Sequence, residues 1–151
     1  MIESLKNCIN QWPRLNEENH KQTSKKTSRY NCAAFAAYDE DNVWWPRKGY
    51  YWPFPIDSVS EVDNFLRYFQ SKQYKICSSS EYEKGYEKVA IYVSSSRSVL
   101  HVARQDSASP ILGWWSSKMG SLEDIAHEKL SDLEGDCYGV ARYILKRKAL
   151  R

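Results

Sequence analysis

Apolar residues recur every three or four positions in some stretches of the chain, and in others they crowd into short runs joined by polar links. Leu5, Cys8, Ile9 and Trp12 stand at helical spacing ahead of Pro13, which predicts a short helix over 4–12. Residues 16–29 have no large apolar side chain and carry Lys21, Lys25, Lys26 and Arg29, the pattern of a solvated loop. Asn31 is a good helix cap, and the apolar run Cys32 to Tyr38 behind it predicts a short buried helix. Residues 39–57 hold Trp44, Trp45, Tyr50, Tyr51 and Trp52, broken by Pro46, Pro53 and Pro55, which exclude regular structure. Ser58 to Glu61 resembles a capping box, and Val62, Phe65, Leu66 and Phe69 then follow the amphipathic rule of a helix.

Beyond this point strands dominate. A short one is expected at 74–77, then clear ones at 88–93, 99–105 and 111–117, with polar connections short enough for an antiparallel meander. Ser121 to Asp124 opens an expected last helix, with Leu122, Ile125, Ala126 and Leu133 on one face until Gly135, and 138–145 is expected to be the final strand. The expectation is one α+β domain over 1–151: a peripheral helix and basic loop at 1–29, and a core at 30–147 in which the Cys32 helix packs on an antiparallel sheet.

Composition narrows the class of protein. The chain has 151 residues, 42% hydrophobic and 27% charged, which suits a globular domain rather than a disordered one. No apolar run reaches the ~18 residues of a membrane span, and the first residues lack the order of a signal peptide, so the cytoplasm is expected and a membrane is not. The net charge of +3 is the remainder of 22 basic and 19 acidic residues, too small to point to nucleic acid. Cys8, Cys32, Cys77 and Cys137 show neither disulfide-framework nor zinc-ribbon spacing, so no cofactor or metal is expected. A metal site built from Cys32, His101 and His127 or Cys137 is the minor alternative.

Two residues draw attention as chemistry. With Asn31 as the cap, Cys32 is the first helical residue, beside unpaired backbone donors that favour a thiolate and could hold an oxyanion. The bland alternative is a small filler in an alanine-rich helix. Of the three histidines, His20 falls in the polar loop and is read as surface, and His127 lies among acidic neighbours and is read as surface or a local ion-pair partner, whereas His101 lies inside the apolar run 99–103. It is either the base for Cys32 or a satisfied core histidine. Gln105 shares its strand face and Ser117 stands on the next strand, so either could orient the ring. Asn31 is a candidate oxyanion donor; Trp45 and Trp52 are candidate groove walls, and Arg104 and Lys118 are candidate ligand cations.

The order of a cysteine at the start of a buried helix, a second helix and a histidine in an antiparallel sheet resembles the papain-like superfamily, in the form seen in bacterial cell-wall endopeptidases and amidases. A closer resemblance, over residues 30 to about 145, is to an uncharacterised bacterial domain family with the pattern N-C-x-A-W-A, K-V-A-I-Y, H-x-A-R-Q, W-x-S-K-x-G and E-D-I-x-H. The matching residues are Asn31 to Ala36, with Phe35 in place of Trp, then Lys88 to Tyr92, His101 to Gln105, Trp115 to Gly120, and Glu123 to His127. The papain-like resemblance implies a papain-like α+β fold and a thiol hydrolase of amide, isopeptide or thioester bonds, acting on a peptide, protein or small molecule. The competing expectation is a binding module whose aromatic-lined pocket holds a small molecule, nucleotide or peptide without turnover.

Overall fold

A computed structural model describes residues 12–150. The helix expected over 4–12 lies, apart from Trp12, outside the described residues. The architecture is one seven-stranded sheet: β1 (His20–Gln22), β2 (Lys75–Cys77), β3 (Tyr86–Val93), β4 (Val99–Gln105), β5 (Trp115–Lys118), β6 (Asp124–His127) and β7 (Val140–Lys148), in the order β1-β6-β5-β4-β3-β7-β2. Every neighbouring pair is antiparallel. Among the described residues two α-helices accompany it, α1 (Cys32–Ala36) and α2 (Glu61–Ser71), with a 3-10 turn at Leu130–Leu133. The molecule is therefore β-rich, and the papain-like α+β arrangement is corrected: α1 is a single buried turn, too short to form one layer of a helix-and-sheet fold.

Alternation along the strands gives the sheet two faces with separate cores. On the front, Ala33, Ala34 and Phe35 of α1 and Val62, Phe65 and Phe69 of α2 pack with Val89, Ile91, Val102 and Leu145. On the back, Trp12, Leu15, Leu130, Leu133 and Tyr138 cover Ala90, Tyr92, Ala103, Trp115 and Ile125. Strands covered on both sides lose the polar alternation of a half-exposed sheet, and β3 is accordingly buried at seven of its eight positions.

α2 forms where its apolar pattern predicts a helix, but its cap is Ser60, whose side chain accepts from the Asp63 amide, and not Ser58 as the expected capping box had it. The expected helix after Ser121 does not form. Gly120, at φ +60°, turns the chain back, and Asp124–His127 inserts as β6 between β5 and β1 with all four residues buried. Over so short a run, apolar spacing fits a helix face and a buried strand equally well, and pairing on both edges decides for the strand. The expected strand at 111–117 shrinks to Trp115–Lys118, because Trp114 donates back to the Ile111 carbonyl in a turn around Gly113 (φ +93°). The last strand starts at Val140 rather than 138, since Gly139 sits at φ +70° with its α-carbon pressed against the Val93 carbonyl.

Candidate functional site

The Asn31 side chain accepts from the Ala34 amide at 3.1 Å, which makes it the cap of α1 and Cys32 the first helical residue. The same oxygen accepts from the Trp44 amide at 3.0 Å, while the Asn31 amide group donates to the Trp44 carbonyl at 2.7 Å. These bonds commit Asn31 to pinning the aromatic loop onto the helix. Cys32 itself is buried against β4, and burial pushes its thiol up to about 11, backbone hydrogen bonds at Val102, Ala33 and Cys32 itself recovering part of the shift. Removal from water outweighs the helix-start effect, and the sulfur is held as a thiol.

His101 does not meet Cys32. It shares its strand face with Ala103, which belongs to the back core, whereas Val102 belongs to the front core under α1. Its ring stacks on Tyr138 with centroids 4.1 Å apart and planes 9° from parallel, and meets Tyr92 at 5.3 Å. Both partners are back-face residues. The sheet separates sulfur from imidazole. Neither ring nitrogen of His101 has a hydrogen-bond partner among the described residues, and burial first, then neighbouring His127, holds the ring neutral, well below the usual histidine range.

Ser117 serves a different histidine. Its hydroxyl is 2.8 Å from His127 Nε2, and His127 Nδ1 donates to the Lys129 carbonyl at 3.1 Å, so Nε2 accepts the serine proton. Gln105 donates to the Ser80 and Gly113 carbonyls, both at 3.1 Å, and so ties down two loops. The surface placement expected for His20 and His127 is corrected as well: they are cross-strand partners on β1 and β6, 5% and 0% exposed. Among the described residues, no group of three or more His, Cys, Asp or Glu is placed to hold a metal ion.

The aromatic loop divides. The Trp52 ring packs edge-on against Phe65 and Trp44 in the front core. Trp45 also touches Phe65 but reaches the surface, where it donates to Glu61 at 2.9 Å and lines a shallow groove with Asn31 and Tyr50. Lys118 donates to the Leu122 carbonyl, and its ammonium lies 5.4 Å from the Tyr30 ring; burial lowers its affinity for a proton. It is a buried structural cation, and 0% of it is exposed.

Arg104 occupies a different setting. Its guanidinium lies 3.8 Å from the Phe35 ring centroid and 4.3 Å from that of Tyr38, donates to the Phe35 carbonyl at 2.6 Å and approaches Asp106 at 3.6 Å. Such planar stacking is a property of arginine that lysine does not share. The Tyr38 hydroxyl donates to Asp106 at 2.8 Å, which fixes the carboxylate. In front of this assembly lies a pocket of ≈ 250 Å³, walled by Phe35, Arg104, Asp106, Ser109, Ser116 and Asp124. Arg104 and Ser116 are cross-strand partners on β4 and β5, so the sheet register itself brings them together.

Three of the residues that line this pocket each keep a buried side-chain atom with no hydrogen-bond partner among the described residues: Arg104 Nε, whose ion-pair contact with Asp106 is too long for a hydrogen bond, Ser109 Oγ and Asp124 Oδ1. The other oxygen of Asp124 accepts from the Tyr30 hydroxyl at 2.6 Å, which, with burial as the larger cause, pushes that phenol up to about 12.

The family model of a domain of unknown function, DUF7689, matches residues 21–146. The chain belongs to that family. No curated protein and no solved structure matches it. The pocket, both helices and all but the first residue of β1 and the last two of β7 fall within the DUF7689 match. No helix among the described residues is long and apolar enough to cross a membrane.

Asp124 and Ser109 were not singled out from the sequence. Asp124 opens a four-residue run, Asp-Ile-Ala-His, that alternates only partly in polarity, and its strand character was the available signal. Ser109 lies in a polar connection, where a residue that turns inward carries no local mark.

Proposed function

We propose that this chain is a binding module, with the pocket beside α1 and β4 as its ligand site. The observation that carries the reading is that one concave space beside an aromatic ring is lined by three residues, Arg104, Ser109 and Asp124, each of which keeps a side-chain polar atom without a hydrogen-bond partner. Buried polar groups in native proteins are nearly always satisfied, and each left bare costs about 1–3 kcal/mol. A ligand that accepts from Arg104 and donates to Asp124, with Ser109 able to do either, satisfies all three. At ≈ 250 Å³ the pocket is smaller than the ~300–1,000 Å³ typical of drug-sized sites, which selects a small polar molecule or one side chain of a peptide. Thiol hydrolysis needs sulfur and imidazole in reach of one another. Here they lie on opposite faces of the sheet, so the binding reading is preferred.

The test is a titration with free amino acids and small hydroxy acids, followed by amide chemical shifts. At least one should shift Ser109, Ser116 and Asp124 together, with the response lost in Ser109→Ala and retained in Cys32→Ala. Binders whose shifts fall elsewhere, or loss of binding in Cys32→Ala with Ser109→Ala unaffected, would overturn it.

A further inference from the structure

At the far end of the sheet, the register stacks three lysines in one row. Lys146 on β7 is directly opposite Lys75 on β2 and directly opposite Lys88 on β3, so all three side chains share a face. Like charges placed opposite one another on a sheet repel. One carboxylate, Glu83, answers them: it pairs with Lys88 at 2.7 Å and with Lys146 at 2.9 Å, which uses both its oxygens. Lys88 is further satisfied by the Ser79 and Glu81 carbonyls, each at 2.7 Å. Lys75 has no ion-pair partner among the described residues, and neither do Lys72, at the end of α2, nor Lys148, opposite Tyr86 in the next row.

These three lysines, with Lys146, line a cavity of ≈ 500 Å³ that also takes in Tyr86 and Leu150. The Lys146 ammonium lies 4.8 Å from the Tyr86 ring centroid, which holds that ring in place as part of the wall. A volume in the range of small-molecule sites, apolar surface from a ring and a leucine, and uncompensated positive charge at the mouth define the occupant's chemistry. The geometry points to a second binding site here, for a small organic anion with a flat or apolar body and a phosphate or carboxylate head that meets Lys75, Lys148 and Lys72. The site is separate from the Arg104 pocket and does not depend on it. A polyanion tracking the basic surface would need no apolar chamber behind the charges, whereas a small amphipathic anion uses both.

Isothermal titration at low ionic strength with phenyl phosphate, benzoate, inorganic phosphate and a short single-stranded oligothymidylate tests this. Phenyl phosphate or benzoate should saturate one site, and the tighter of the two assigns the head group. Replacing two of the three exposed lysines, Lys75→Gln with Lys148→Gln, should weaken that binding by about tenfold or more, while Ser109→Ala leaves it unchanged. Both substitutions are at exposed positions, so folding is retained, as circular dichroism would verify. The proposal is overturned if inorganic phosphate binds as well as phenyl phosphate, if the oligothymidylate binds much more tightly than either aromatic probe, if the double variant binds like wild type, or if neither aromatic anion saturates by about 10 mM.

Discussion

The front and back faces of the sheet treat polar side chains in opposite ways. On the front, Arg104 and Asp124 leave hydrogen-bonding atoms bare, but both residues line a pocket. On the back, His20, His101 and His127 are buried, His101 against Tyr92 and Tyr138, and the residues whose nitrogens are left bare, His101 at both and His20 at Nε2, line none of the pockets described here. A bare atom on a side chain that lines a pocket marks a place for a ligand. A bare atom inside a closed core is a stability liability that depends on protonation. The same class of observation thus assigns binding to one face and pH sensitivity to the other.

The sharpest way to break the back face is Gly139→Ala. A β-carbon there would stand 2.0 Å from the Val93 carbonyl oxygen, at φ +70°, so the loop carrying Tyr138 must move away from the sheet. We expect a loss of about 4 kcal/mol or more in urea denaturation, the level reserved for such clashes; a loss below ~1 kcal/mol would mean that the loop does not anchor the back core.

Acid should act next, and on the same face. Burial first, with His20 a lesser contributor, holds His127 down at about 4 in the folded state against 6.5 for the free side chain, and His101 is lowered as well. Between pH 6.5 and 4 the unfolded chain takes up protons that the folded one refuses, so stability falls as the pH falls through that window. Above about pH 7 these rings contribute nothing to the pH dependence. For His127 alone the full loss is about 3 kcal/mol, approached near pH 4. His101→Phe removes one of the titrating rings and should flatten the decline when midpoints at pH 7 and pH 5 are compared. An undiminished slope in that variant would place the acid sensitivity elsewhere.

Smaller effects belong to the front face. Cys32→Ala deletes one buried atom from a helix already rich in alanine and should cost about 1–2 kcal/mol. In the native protein, alkylation by iodoacetamide at neutral pH should reach Cys77 before Cys32, because Cys32 is buried with its thiol raised to about 11, whereas Cys77 is partly exposed. Faster labelling of Cys32, read by mass spectrometry of the peptides, would restore it as a poised nucleophile.

Much of the framework was legible from local pattern. The apolar positions of α2, Asn31 as a cap, and β3 and β4 with their polar link are decided by neighbours a few residues apart, and the structure contains each of them. The site was legible in part. Arg104 was marked as a ligand cation, but Asp124 was assigned to a helix, because its strand exists only through pairing with β5 and β1, whose partner residues lie up to about a hundred positions away in the chain.

By itself, the sequence determined which residues alternate together along each strand, where α1 begins and which face of α2 is apolar, since caps and periodicity act over single turns and single strands. Only the tertiary structure decided which side of the sheet each set faces. Period two says that His101 and Val102 point in opposite directions, but it does not say which direction meets α1. That choice comes from long-range burial of two separate cores, with Val102 beneath the Cys32 helix and His101 against Tyr138 on the far side.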